Sequence, residues 1–153
     1  MSNMKISPNP AGDSYDFDLL PGLIGYNLRR AQTAVFQDFS KSLKDCNITP
    51  GQFGVLVVIQ ANSGLNQTRL GNALGIDRST VVAVIDRLEK RGLVERAPAP
   101  TDRRSYALRL SDQGDALLRR ARGLVEAHEK RIARDLSPTE QKQLNTLLSR
   151  LSG

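Results

Sequence analysis

A chain of 153 residues with 22 basic and 16 acidic side chains is long enough to bury a real core, either as one domain or as two smaller lobes. One cysteine rules out an internal disulfide framework, and one histidine argues against a histidine-based metal or catalytic cluster, so neither an enzyme nor a metal or cofactor is expected. No apolar run reaches membrane-spanning length and the opening MSNMKISPNPAGDSYD lacks the apolar core of a signal peptide, which makes the cytoplasm, away from any membrane, the expected setting.

The net charge of +6 is unevenly spread. Residues 1–65 carry five basic and five acidic groups, residues 66–110 nine and five, and residues 111–153 eight and six. The excess in the middle segment points to a polyanion partner, set against the plainer reading of ordinary solubilising charge.

Residues 1–17 hold Pro8, Pro10, Gly12 and few apolar side chains, and read as a flexible arm. A long helix is predicted from Leu19 to about Asp45, because Leu20, Leu23, Ile24, Asn27, Leu28, Ala31, Val35, Phe39 and Leu43 recur at helical spacing, with Pro21 tolerated in the first turn. Tyr26 and Phe36 lie off that stripe, so the helix needs a second neighbour, for which a subunit interface would serve. Thr49-Pro50-Gly51-Gln52 is a capping box, and it outweighs the strand propensity of FGVLVVIQ, placing a helix from there to Asn62.

The stretch Asn66–Arg91 reads as two short helices about a tight turn. Leu70, Ala73 and Leu74 form the apolar stripe of the first, Gly75 ends it, Asp77 N-caps the second, and Val81, Val84, Ile85 and Leu88 form the matching stripe there. The opposite face of the second helix carries Ser79, Val82, Ala83, Asp86, Arg87 and Lys90, with Arg78 and Thr80 at its start. Small and polar residues with no large apolar ones let a backbone approach another surface closely, which is the pattern of a helix-turn-helix. Gly92 stops the helix, and Leu93–Ala97 begins an extended segment that Pro98 and Pro100 turn into a loop. After the charged turn Thr101–Ser105, the residues Tyr106, Leu108 and Leu110 alternate with Ala107 and Arg109 as the second strand of a hairpin with arginines at its tip. Ser111 caps an amphipathic helix running from Asp112 to Asp135, with Leu117, Leu118, Ala121, Leu124, Val125, His128 and Ile132 on one stripe. Ser137-Pro138-Thr139-Glu140 is a second capping box, opening a last helix with Leu144, Leu147, Leu148 and Leu151 on one side.

The order of these elements and three motifs together resemble the MarR family of bacterial transcription regulators over roughly residues 20–152. The motifs are IDRSTVVAVIDRLEKRGLVER, DRRSYALRLSDQG and LSPTEQKQLNTLLSRL. The resemblance implies a mainly α fold with a two-stranded β wing. It implies a winged helix-turn-helix DNA-binding domain at residues 49–110, flanked by helical dimerisation regions at 18–48 and 111–153. The implied partners are a double-stranded operator, a second copy of the chain and a small-molecule effector. By the same resemblance Arg78, Ser79, Thr80 and Val82 meet bases and phosphates, Arg87 and Arg103 add DNA contacts, and Arg104 enters the minor groove. Asp77 and Asp102 are the carboxylates able to orient that arginine. Ala83 stands where some relatives place a base-reading arginine, which shifts specificity toward Val82 and toward DNA shape. Arg87 and Lys90 also read as a solvated helix face.

For an effector the resemblance implies a pocket near Tyr26, Asn27, Arg30 and Phe36, with an aromatic carboxylate or its coenzyme A thioester as ligand. A basic set formed by Arg29, Arg30, Arg119, Arg120 and Arg122 reads mainly as a solvated face. The function expected is a ligand-released repressor. The alternatives are a sequence-neutral architectural DNA binder and a redox-sensing repressor using Cys46, although the helix C-terminus and Asp45 beside that thiol favour an inert structural cysteine. His128, on an apolar stripe, reads as a core or interface histidine.

Overall fold

The computed structural model describes residues 15–98 and 106–153. The chain divides after Ala34 into two compact units. In the first, a 3-10 turn at Leu20–Gly22 precedes helix α1 (Ile24–Ser42), which runs on into the second unit. The helix predicted from Leu19 to Asp45 is therefore interrupted at both ends. Leu23 is extended at φ −90° and ψ 130° after the proline-bearing turn. At the far end a second 3-10 turn, Lys44–Cys46, closes on Asn47, whose left-handed φ of 50° cannot continue a helix. Within the first unit Leu19, Leu20, Leu23, Ile24 and Leu28 are exposed, so the apolar stripe read there does not serve a core of the single chain.

The second unit holds the rest of α1, then α2 (Pro50–Ala61), α3 (Gln67–Leu74), α4 (Arg78–Lys90), β1 (Val94–Pro98), β2 (Tyr106–Leu110), α5 (Asp112–Ile132) and α6 (Pro138–Leu151). Both capping boxes form. The Thr49 hydroxyl accepts from the Gln52 N–H while the Gln52 side chain accepts from the Thr49 N–H, and Ser137 and Glu140 repeat the arrangement. The specific cap settles α2 as a helix despite its β-branched run, and Val55, Leu56 and Ile59 face inward. The core joins Phe39 of α1 and Leu43 just after it to these residues, to Leu70, Val81, Ile85 and Leu88 of the helix pair, and to Leu118 and Ala121 of α5.

Antiparallel β1 and β2 pair from Val94↔Leu110 to Pro98↔Tyr106. Pro98 thus closes a strand instead of opening a loop, which an edge position permits because no donor is needed there. The alternation predicted for β2 also fails: Tyr106 is exposed while Ala107 and Leu108 are both buried. Leu108 enters the core and donates its N–H to the Leu65 carbonyl at 2.7 Å, and Ala107 borders a hollow shared with Ile59 and Ser63. The Ser111 hydroxyl accepts from the Gly114 N–H and starts α5 as predicted, and α5 ends at Ile132, a turn short of Asp135. Gly114 sits so close to the wing that a Cβ there would lie 2.0 Å from the Leu93 carbonyl oxygen.

His128 is 1% exposed, a core residue, with its ring edge-on to Phe39 at 5.4 Å. Its Nδ1 lies 2.6 Å from Asp38 Oδ2, and Arg131 donates to both oxygens of the same carboxylate at 3.1 and 3.4 Å. The Arg131 hydrogen bond first and the His128 contact second lower the Asp38 pKa to about 2.

Candidate nucleic-acid interface

The helix pair is built from its caps inward. The Asn66 side chain accepts from the Arg69 N–H and starts α3; Gly75, at φ 64°, ends it. The two helices then cross tightly at Gly71, where a Cβ would meet Val81 Cγ2 at 3.0 Å and the Ile76 carbonyl at 3.1 Å. Leu70 of α3 and Val81, Ile85 and Leu88 of α4 fill that contact, as the stripe predicted, and Val84 is half-buried. Ala73, assigned to the stripe of α3, is exposed.

This burial turns the opposite face of α4 outward. Arg78, Ser79, Thr80, Ala83, Arg87 and Lys90 are exposed, with Val82 and Asp86 half-buried at its edge. Asp77 organises the first turn. One of its oxygens accepts from the Thr80 N–H at 2.9 Å and from the Ser79 hydroxyl at 2.6 Å, while the other accepts from the Thr80 hydroxyl at 2.8 Å. Led by the Ser79 bond, these donors hold the Asp77 pKa well below the ordinary carboxylate range, so the cap stays ionised at the positive end of the helix dipole. Ser79 and Thr80 are thereby cap partners, and both remain exposed.

The wing is fastened to this helix by a residue not singled out in the sequence. Arg96 of β1 donates from Nε to Glu89 at 2.9 Å and from Nη2 to Asp86 at 2.8 Å, so its fork ties off both acids of α4. Its partners lie on the preceding helix, and a seven- and ten-residue reach across a turn carries no periodic signal in the sequence. A cross-strand pair, Arg109 with Glu95 at 2.9 Å, stiffens the hairpin. Asp102, Arg103 and Arg104 lie outside the described residues.

A family model described as MarR family matches residues 47–105. The chain is 38% identical over 133 residues to a putative transcriptional regulatory protein for the hcr operon of Thauera aromatica, covering 86% of this chain and 80% of that one. The chain belongs to the MarR family. Among solved MarR-type structures, the transcriptional repressor CouR bound to a 23-mer DNA duplex shares 41% identity at a TM-score of 0.87, over 92% of this chain and 100% of that one. CouR bound to p-coumaroyl-CoA matches at 39% identity and a TM-score of 0.83, over 91% and 98%. The MarR assignment makes α3 and α4 the helix-turn-helix of a winged-helix transcription regulator, with β1 and β2 its wing.

Of the positions expected to hold an effector, Tyr26 carries the Arg30 guanidinium over its ring at 5.6 Å. The Asn27 amide donates to the Pro21 and Leu23 carbonyls at 3.0 and 2.9 Å, closing the start of α1, and Phe36 is 51% exposed. Cys46, the thiol of the redox alternative, is 2% exposed in the core. Among the described residues no cluster of three or more His, Cys, Asp or Glu is placed to hold a metal ion, and no helix is long and apolar enough to cross a membrane.

Proposed function

We propose that the protein is a homodimeric repressor that occupies a pseudo-palindromic operator through Arg78, Ser79, Thr80, Val82 and Arg87 of α4 and Arg103 and Arg104 of the wing, and that a small ligand releases it. Asp77 and Asp102 orient the wing arginine in this reading. The observation that carries it is the likeness to CouR in two states, one on DNA and one on p-coumaroyl-CoA, at close to 40% identity across nine-tenths of the chain. An aromatic acyl-CoA thioester, or the corresponding carboxylate, is therefore the first effector class to try, with Tyr26, Asn27, Arg30 and Phe36 as the candidate ligand-binding residues.

Two faces of the single chain support the homodimer. Leu19, Leu20, Leu23, Ile24 and Leu28 near the start, and Leu144, Leu147, Leu148 and Leu151 along α6, are exposed apolar rows that a second copy would bury. A two-fold axis would present the two α4 helices to half-sites about 34 Å apart. The burial of Cys46 weighs against oxidant sensing.

Sequencing of genomic fragments retained by the protein supplies the operator, and adding p-coumaroyl-CoA or related thioesters to that complex tests release. Recovery of one inverted-repeat site, freed by a thioester at micromolar concentration, is the expected result. Recovery of unrelated fragments would instead favour an architectural role.

A further inference from the structure

A cleft of about 550 Å³ lies beside α4 on the side away from the wing, between the α1–α2 connection, the first turn of α2 and the last turns of α4. Lys44, Arg87, Lys90 and Arg91 line it, and no acidic residue does. The way these cations are left bare is specific. Each of Lys44, Arg87 and Lys90 has a carboxylate as its chain neighbour, and each of those carboxylates is turned to an arginine elsewhere: Asp45 to Arg120 at 3.6 Å, Asp86 and Glu89 to Arg96. Among the described residues none of the three cations has an ion-pair partner.

The cleft also has a fixed floor. Arg91 spends its fork on the carbonyls of Asn47 at 2.6 Å and Cys46 at 2.9 Å, pinning the α1–α2 connection to the end of α4. Thr49 and Gln52 bring the N-terminal, positive end of α2 to the rim, and Leu43 and Ile48 form a buried apolar wall. The carbonyl end of α4 accounts for one or two basic residues near it, but not for a third converging from another element.

We infer that this cleft binds phosphate, through Lys44, Arg87 and Lys90 with the α2 N-terminus behind them. Three bare cations and a helix end suit a ligand with more than one negative charge, and the volume is of the size that holds a small molecule rather than a lone ion. The preferred source is the phosphate-bearing part of a small effector. This deepens, and rests on, the ligand-release reading, since Arg87 is also a proposed DNA contact and a phosphate held there would compete with the duplex backbone. The backbone itself offers the same chemistry, so the test separates the two.

Amide chemical shifts of the full-length protein, titrated with inorganic pyrophosphate and with sodium sulfate at equal ionic strength, read the cleft directly. The expected result is saturable movement at Lys44, Asn47, Thr49, Gln52, Arg87 and Lys90 with pyrophosphate, weakened at least ten-fold in Lys44→Ala/Lys90→Ala and unchanged in Arg119→Ala. Shifts that do not saturate, that sulfate reproduces, or that survive the double substitution overturn the site. With the operator in hand, the double variant then assigns the source. Impaired release by an acyl-CoA thioester at an unchanged salt slope assigns the small molecule, and a flatter salt slope with unchanged release assigns the duplex. If the wild-type complex is not released by any thioester, the effector reading fails while the pyrophosphate titration still decides the cleft.

Discussion

The two flanks of α4 hold opposite charges in opposite ways. Beyond its first turn the helix has two acids, Asp86 and Glu89, and two bases, Arg87 and Lys90. On the wing flank the acids are closed off by one arginine, and on the other flank the bases stand open around a cleft. A stretch of helix that is neutral by count beyond its first turn thus presents a positive surface, because Arg96 removes the acids from the reckoning at short range. The first strand of the wing therefore decides what charge the outer face of α4 shows.

The largest expected effect breaks the wing flank at its root. Gly114→Ala drives a methyl into the Leu93 carbonyl, 2.0 Å from the new Cβ. Backbone cannot move aside cheaply, and a loss of about 3 kcal/mol, a fall in Tm of roughly 10 °C by calorimetry, is expected. Next is the first turn that both flanks serve. Arg78→Ala should weaken operator binding by roughly 2 kcal/mol, about 30-fold by anisotropy, with Tm unchanged because the side chain is exposed and makes no core contact. Arg96→Ala sharpens the comparison itself. It should leave the fold within about 1 kcal/mol, since the pair is partly solvated, yet weaken DNA binding by about ten-fold as two carboxylates become exposed beside the duplex. Adding Asp86→Asn and Glu89→Gln to that variant should restore much of the affinity; no recovery would show that Arg96 acts only through wing geometry.

The smallest effect lies away from α4, where Asp38 is held low in the same manner by Arg131 and His128. A carboxylate with a depressed folded pKa contributes stability above its ordinary pKa near 3.9 and loses it as pH falls toward the folded value. The difference in urea midpoint between wild type and Asp38→Asn should be constant at neutral pH and close between about pH 4 and about pH 2.

Local signals carried much of this into view from the residues alone. Thr49 with Gln52, Ser137 with Glu140, and Asp77 each mark a helix start by a side chain three residues from the N–H it serves, and the stripe Val81–Ile85–Leu88 marks the buried face of α4. What was hidden depends on residues distant in the chain. Gly71 and Gly114 read as ordinary helix glycines until the crossing helix and the Leu93 carbonyl are placed against them. Ala107 is buried against the alternation read for β2, and the break at Leu43–Asn47 hangs on one left-handed asparagine within an otherwise helical period. The cleft needs Lys44 and Lys90 on separate elements, and its charge depends on where three neighbouring carboxylates point. The wing tip carrying Asp102, Arg103 and Arg104 lies outside the described residues, so its proposed role rests on resemblance.

Recognition through the first turn of α4 is the centre of the account, and equilibrium anisotropy of wild type and Arg78→Ala on operator and scrambled duplexes of equal length, at one salt concentration, tests it most directly. The wild type should prefer the operator by at least ~10³-fold, and Arg78→Ala should lose more on the operator than on the scrambled duplex, narrowing that ratio. Equal wild-type affinity for both duplexes, or an Arg78→Ala variant with the full preference intact, would contradict it.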